Sequence, residues 1–234
     1  MLKLGQTVLT LVLAVVFGRV LGFEGFGIYA FCLSVVNLLM IPAMLGGQNL
    51  LVREIAAYKA RNELHFLRGL LQWMFRASTA ASIGIAFCAA GIGLWLYQDH
   101  HMLVPFLIAM VLVPLMTAME LQGATLRGLR YILTGQASLS LLPVLVLALF
   151  VLMVWFRGVA PGPEAALMAY TTSAGILVVA VHFYLHHLLP TGVKNTRPAY
   201  ETSRWVKSML PFVCAGGMQV LNSEISVFLL GIMR

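Results

Sequence analysis

Stretches of about twenty consecutive apolar residues recur along almost the whole chain, and that recurrence leaves few folds open. A helix of that length crosses about 30 Å of hydrocarbon. Seven such stretches are read, at residues 4–21, 28–45, 73–97, 102–121, 137–156, 165–186 and 209–232. Of the 234 residues 61% are hydrophobic and 10% charged, too little charge to cover a water-soluble surface. In hydrocarbon every backbone N–H and C=O must be paired within the protein, so these stretches are expected as α-helices. The fold class that follows is all-α: a polytopic transmembrane helical protein of about seven spans.

The connectors carry the expected punctuation. Gly22, Gly25 and Gly27 suit a tight turn between the first two antiparallel spans. Pro42 predicts a kink in the second, and Gly46-Gly47 follows it. An amphipathic charged stretch with Arg53, Glu54, Lys59, Arg61, Glu63 and Arg68 precedes the third span, and Pro161-Gly162-Pro163 marks a loop before the sixth. The longest polar segment, 190–207, divides the chain into a six-helix lobe (1–189), a cytoplasmic inter-lobe linker (190–207) and the first helix of a second lobe (208–234).

Charge sets the expected orientation. With the N-terminus inside, twelve Lys and Arg residues (among them Lys3, Arg76, Arg127, Arg130 and Lys207) fall on the cytoplasmic side. Only Arg19, Arg157 and Arg234 fall outside, the asymmetry that cytoplasmic loops show. The net charge of +7 is therefore a topology signal; no run of cations is dense enough for nucleic-acid binding. The first twenty residues run on into a second apolar stretch and read as a span, not as a cleaved leader. Trp73, Tyr97, Trp155, Phe156 and Trp205 fall at span ends, as an interfacial aromatic belt requires.

Charges placed within hydrocarbon are candidates for function. Glu224 lies in mid-span with Gln219, Asn222 and Ser223, and reads equally as a cavity carboxylate or as a structural one paired with a cation. Arg19, near the outer end of the first span, reads as an oxyanion contact or as a snorkelling arginine. Arg53 and Glu54 read as a local interfacial pair with a lesser claim to substrate. Glu120 and Gln122 are placed at the interface, as are His182, His186 and His187, which lack a third metal ligand. Cys32, Cys88 and Cys214 read as small apolar packing residues. Neither a catalytic motif nor a phosphate-binding loop is present, so no enzymatic activity, cofactor or metal is expected.

The run Gly18-Arg19-Val20-Leu21-Gly22-Phe23-Glu24-Gly25-Phe26-Gly27-Ile28-Tyr29 resembles the early signature of the polysaccharide and O-antigen flippases. These transporters of lipid-linked oligosaccharide belong to the multidrug/oligosaccharidyl-lipid/polysaccharide exporter superfamily. Leu51-Val52-Arg53-Glu54-Ile55-Ala56 and the stretch from Leu210-Pro211 through Asn222-Ser223-Glu224 are similar to further family segments. The resemblance implies two six-helix lobes around a cavity in the bacterial inner membrane, with undecaprenyl-pyrophosphate-linked oligosaccharide as substrate. It implies substrate contacts at Arg19, Arg53, Gln219, Asn222 and Glu224, and partners among membrane lipids and polysaccharide polymerase or assembly proteins. The chain is shorter than that architecture, which is the expectation for an N-terminal portion or truncated form. Two other readings stand beside it. A cation-coupled multidrug exporter of the same superfamily would need an acidic residue in the first two spans, which have none; a membrane glycosyltransferase or polymerase would need a large outward loop.

Overall fold

The computed structural model describes residues 2–44, 46–96, 100–157, 162–189 and 196–209. Among these the architecture is all-helical: α1 (Leu2–Met44), α2 (Gly47–Arg61), α3 (Leu64–Leu96), α4 (His100–Gly128), α5 (Ile132–Arg157) and α6 (Pro163–Leu188). Residues 202–209 are also helical.

The long α1 is two arms folded against each other. Gly22 sits at φ 72° and ψ 178°, a region open essentially to glycine alone. The rings of Phe17 and Tyr29 lie 5.0 Å apart, centroid to centroid. In an unbroken helix twelve residues would separate their Cα atoms by about 18 Å. The chain therefore reverses at Gly22, and the expected turn over 22–27 contracts to one non-helical residue. The two arms, 2–21 and 23–44, are each long enough to cross hydrocarbon. Pro42 lies within the second arm, near its end.

Four helices are long and apolar enough to cross a membrane by length and composition, α1 counting as one of them. With its two arms taken separately and α5 included at 26 residues, about 39 Å, the first six expected spans all fall on helices. The seventh, 209–232, lies outside the described residues but for Met209.

α4 is the hub. It packs against α1, α2, α3, α5 and α6. Around its middle a mid-bundle core forms, with Phe17 fully buried between Tyr29 and Phe150. A second core closes one end of the bundle. It joins α2, the start of α3, and the ends of α4 and α6 through Leu50, Ile55, Tyr58, Leu70, Met74 and Leu126. Lys59, Arg61, Arg68, Arg127 and Arg130 gather here, so it is called the basic end below.

Two of the turns at this end share a design. Asn62 at φ 58° and Arg130 at φ 75° are left-handed residues following α2 and α4. At each, backbone N–H groups bond back to carbonyls three and five residues earlier, Asn62 to Lys59 and Glu63 to Tyr58, Arg130 to Arg127 and Tyr131 to Leu126. This is the hydrogen-bonding pattern that terminates a helix while satisfying its last carbonyls. The Lys59 ammonium adds a bond of 3.2 Å to the Leu129 carbonyl, a cation placed where the α4 dipole is negative.

The chain beyond α6 returns to this end. The Ala199 N–H donates to the His65 carbonyl at 3.1 Å, and Arg68 donates to the Thr196 carbonyl at 2.7 Å. Tyr200 Oη donates to Gln72 Oε1 at 3.0 Å. Gly69 makes the close approach possible, since a Cβ there would overlap the Ala199 carbonyl. Trp205 is fully buried, its ring 5.6 Å from that of Trp73 and tilted by 44°, with its indole donating to Tyr58. Its expected place in an interfacial belt is corrected: it is a core residue of the basic end, because α2 and α3 present aromatic partners and a phenol oxygen to it.

Candidate functional site

Arg19 projects from the first arm of α1 three residues before the reversal and is exposed. The Gly22 turn sets it at the far end of the bundle from α2. The second arm between them is about 33 Å long at 1.5 Å per residue. Arg19 and Arg53 therefore do not share one local site within this lobe.

Arg53 lies on α2, half exposed, with Nη2 2.7 Å from Glu54 Oε1 and Nε at 3.1 Å from the same oxygen. Glu54 itself is buried, its side chain 8% exposed. The expected local pair is what the structure shows. α2 thus turns a carboxylate inward and holds a guanidinium at its rim. Glu120 on α4 is half-buried and accepts a 2.6 Å bond from Gln48 Nε2, tying the start of α2 to α4. Gln219, Asn222 and Glu224 lie outside the described residues.

A cleft at the basic end, apolar over most of its wall and bordered by a few polar side chains, escaped the sequence reading. α3 and α6 both pack on α4 while scarcely touching one another. The gap between them is a hollow of about 290 Å³ with Gln72 and Arg76 on the α3 wall, His182 and His186 on the α6 wall, and Gln122 on the floor. Gln122, expected at the interface, is only 3% exposed. That placement is corrected: α6 crosses over it, and its Nε2 donates to the Val178 carbonyl at 3.2 Å. His182 and His186 are exposed interfacial histidines as expected, one turn apart on α6. The one hint available in the sequence was this i, i+4 spacing. Among the described residues no three His, Cys, Asp or Glu side chains are placed to hold a metal ion.

Outside the apolar spans, burial pushes the Tyr58 phenol above its ordinary range. The Trp205 indole opposes that shift, the Glu54 and Glu201 carboxylates add to it, and Arg204 opposes it. Tyr58 thus stays a neutral phenol whose oxygen accepts the indole N–H.

Antiparallel apolar helices of spanning length, joined by short turns and closed at one end by a basic, amphipathic layer, define a multi-pass helical membrane protein. The chain belongs to the family described as polysaccharide biosynthesis protein, whose model matches residues 1–234. Comparison with curated proteins and with solved structures returned no match.

Proposed function

We propose that the chain serves in the translocation of lipid-linked oligosaccharide across the bacterial inner membrane, its N-terminus on the cytoplasmic side. The observation that carries this reading is the family match over the whole sequence, joined to a bundle that exposes an arginine on its first span. A lipid pyrophosphate presents paired oxyanions, and a guanidinium binds such oxygens bidentately. Arg19 supplies that group near the outer face and Arg53 near the inner one. Their separation suits a substrate that is handed across the bilayer. Gln219, Asn222 and Glu224 are assigned to sugar or coupling-ion contacts. The twelve-to-three distribution of Lys and Arg supports the orientation.

The test is genetic and chemical together. A strain lacking the gene should lose its surface polysaccharide and accumulate the undecaprenyl-linked unit on the cytoplasmic side. Normal surface polysaccharide in that strain would refute the reading. In the complemented strain, Glu224→Gln should impair transport at unchanged expression if the carboxylate acts on substrate or ion.

A further inference from the structure

Beyond the cleft between α3, α4 and α6, the α3–α4 surface is hollowed again. A second hollow of about 240 Å³ lies between α3 and α4 and is lined by Ile83, Phe87, Val111 and Pro114. On α3, Phe87 follows Arg76 by eleven residues; on the antiparallel α4, Val111 precedes Gln122 by eleven. Eleven residues advance a helix about 16 Å and return to within about 20° of the same face. Both hollows therefore open along one side of the α3–α4 seam, the second about 16 Å deeper. Both have mostly apolar walls, and Arg76, His182 and His186 border only the one at the basic end.

The basic-end hollow has a buried acceptor on its floor and cationic side chains at its border. The Val178 carbonyl can only accept, so the Gln122 amide must turn its nitrogen toward it. Its Oε1 is then buried without a partner among the described residues. A buried acceptor left so destabilises the fold unless a donor reaches it. Around it stand the Arg76 guanidinium and two imidazoles, with no carboxylate lining the hollow. Among the described residues Arg76 makes no ion pair that would neutralise it.

We propose that this groove holds one anionic phospholipid of the leaflet at the basic end. Its phosphate meets Arg76, flanked by His182 and His186. A headgroup hydroxyl, as in phosphatidylglycerol, donates to Gln122 Oε1. One acyl chain lies along the seam over Phe87 and Val111. The spacing selects this occupant: about 16 Å from phosphate to groove is half of a hydrocarbon layer of about 30 Å, the depth of one leaflet. A phospholipid chain ends there, whereas a much longer polyprenyl tail would overrun it. The site uses none of the residues assigned to substrate above, so it stands or falls separately from that reading.

Native mass spectrometry of the full chain, released from nanodiscs containing phosphatidylglycerol, phosphatidylcholine and undecaprenyl phosphate in equal amounts, tests the assignment. Phosphatidylglycerol should be retained in preference to the other two. Arg76→Gln should weaken that retention about ten-fold or more, and Arg76→Lys should restore part of it. Gln122→Met should erase the preference for phosphatidylglycerol over phosphatidylmethanol, which lacks the headgroup hydroxyl. Phe87→Trp should be quenched more strongly by phosphatidylglycerol than by phosphatidylcholine brominated at the same acyl positions. Equal retention of phosphatidylcholine, or no change in Arg76→Gln, would overturn the proposal. Preferential retention of undecaprenyl phosphate would overturn it too, and would make the groove a substrate site.

Discussion

The indole Nε1 of Trp205 donates to the phenol oxygen of Tyr58 at 3.0 Å, and both side chains are sealed from solvent. They stand 147 residues apart in sequence, so one bond closes the chain beyond α6 onto α2. The aromatic ring of Trp73 packs on the same indole. Trp205→Phe keeps much of the packing and loses the hydrogen bond, so it should destabilise by about 1 kcal/mol. Trp205→Ala removes the ring and should cost about 3–5 kcal/mol. Thermal unfolding in detergent measures both, and limited proteolysis within 196–209 should quicken in the same order.

The Tyr58 phenol gives that contact a pH limit. Its folded pKa is raised above the ordinary tyrosine value of about 10, chiefly by burial, so the proton is held more tightly in the folded state than in the unfolded one. The stability it contributes is complete below about pH 10 and is lost as pH rises from there through the folded pKa. Trp fluorescence followed through an alkaline titration should show undocking above pH 10. Tyr58→Phe should flatten that transition, since no phenol remains to ionise.

At Gly69 the first turns of α3 accept the Ala199 carbonyl at backbone distance. Gly69→Ala should cost about 1–3 kcal/mol through overpacking, against the gain in helix propensity an alanine would otherwise bring. A cysteine pair at Gln72 and Tyr200, whose side-chain tips hydrogen-bond in the parent, should be bridged by a short bifunctional thiol reagent with Gly69 present and poorly with alanine there.

The reversal at Gly22 depends on one backbone conformation. Gly22→Ala forces an L side chain to φ 72°, at a cost of about 1–3 kcal/mol. Straightening α1 would pull Phe17 from between Tyr29 and Phe150, so the variant should show a reduced yield of folded protein on size exclusion.

Arg53 separates structure from function. Its guanidinium is half exposed but its partner Glu54 is buried, so the cation itself must be kept to avoid stranding that carboxylate. Arg53→Lys keeps a cation beside Glu54 and loses the bidentate guanidinium, so it should leave thermal stability within about 1 kcal/mol while depressing transport in the complemented strain. A large loss of stability with proportionate loss of transport would assign Arg53 a structural role instead.

The apolar runs made the first six helical spans legible, since a stretch such as 102–121 has no other way to hide its backbone in lipid. The run from Gly18 to Tyr29 pointed to the family that the match over the chain bears out. Hydropathy sums along the chain, so it places helices well and says little about neighbours. Trp205 and Gln122 were misplaced for that reason: each lies near a span end, where position along the chain predicts an interface. Glu54 and Arg53 are adjacent in sequence yet differ in burial because a helix turns 100° per residue and only one of them faces the core.

Hydrophobic length and charge order alone determined a multi-pass helical membrane protein with its cations gathered toward one end. Only tertiary structure decided that the segment after α6 returns to α2 and α3. Only tertiary structure decided, too, that α6 crosses over Gln122 while standing clear of Arg76, opening a cleft between them. The free energy of a buried polar atom depends on which partners surround it, and those partners are brought by helices distant in sequence.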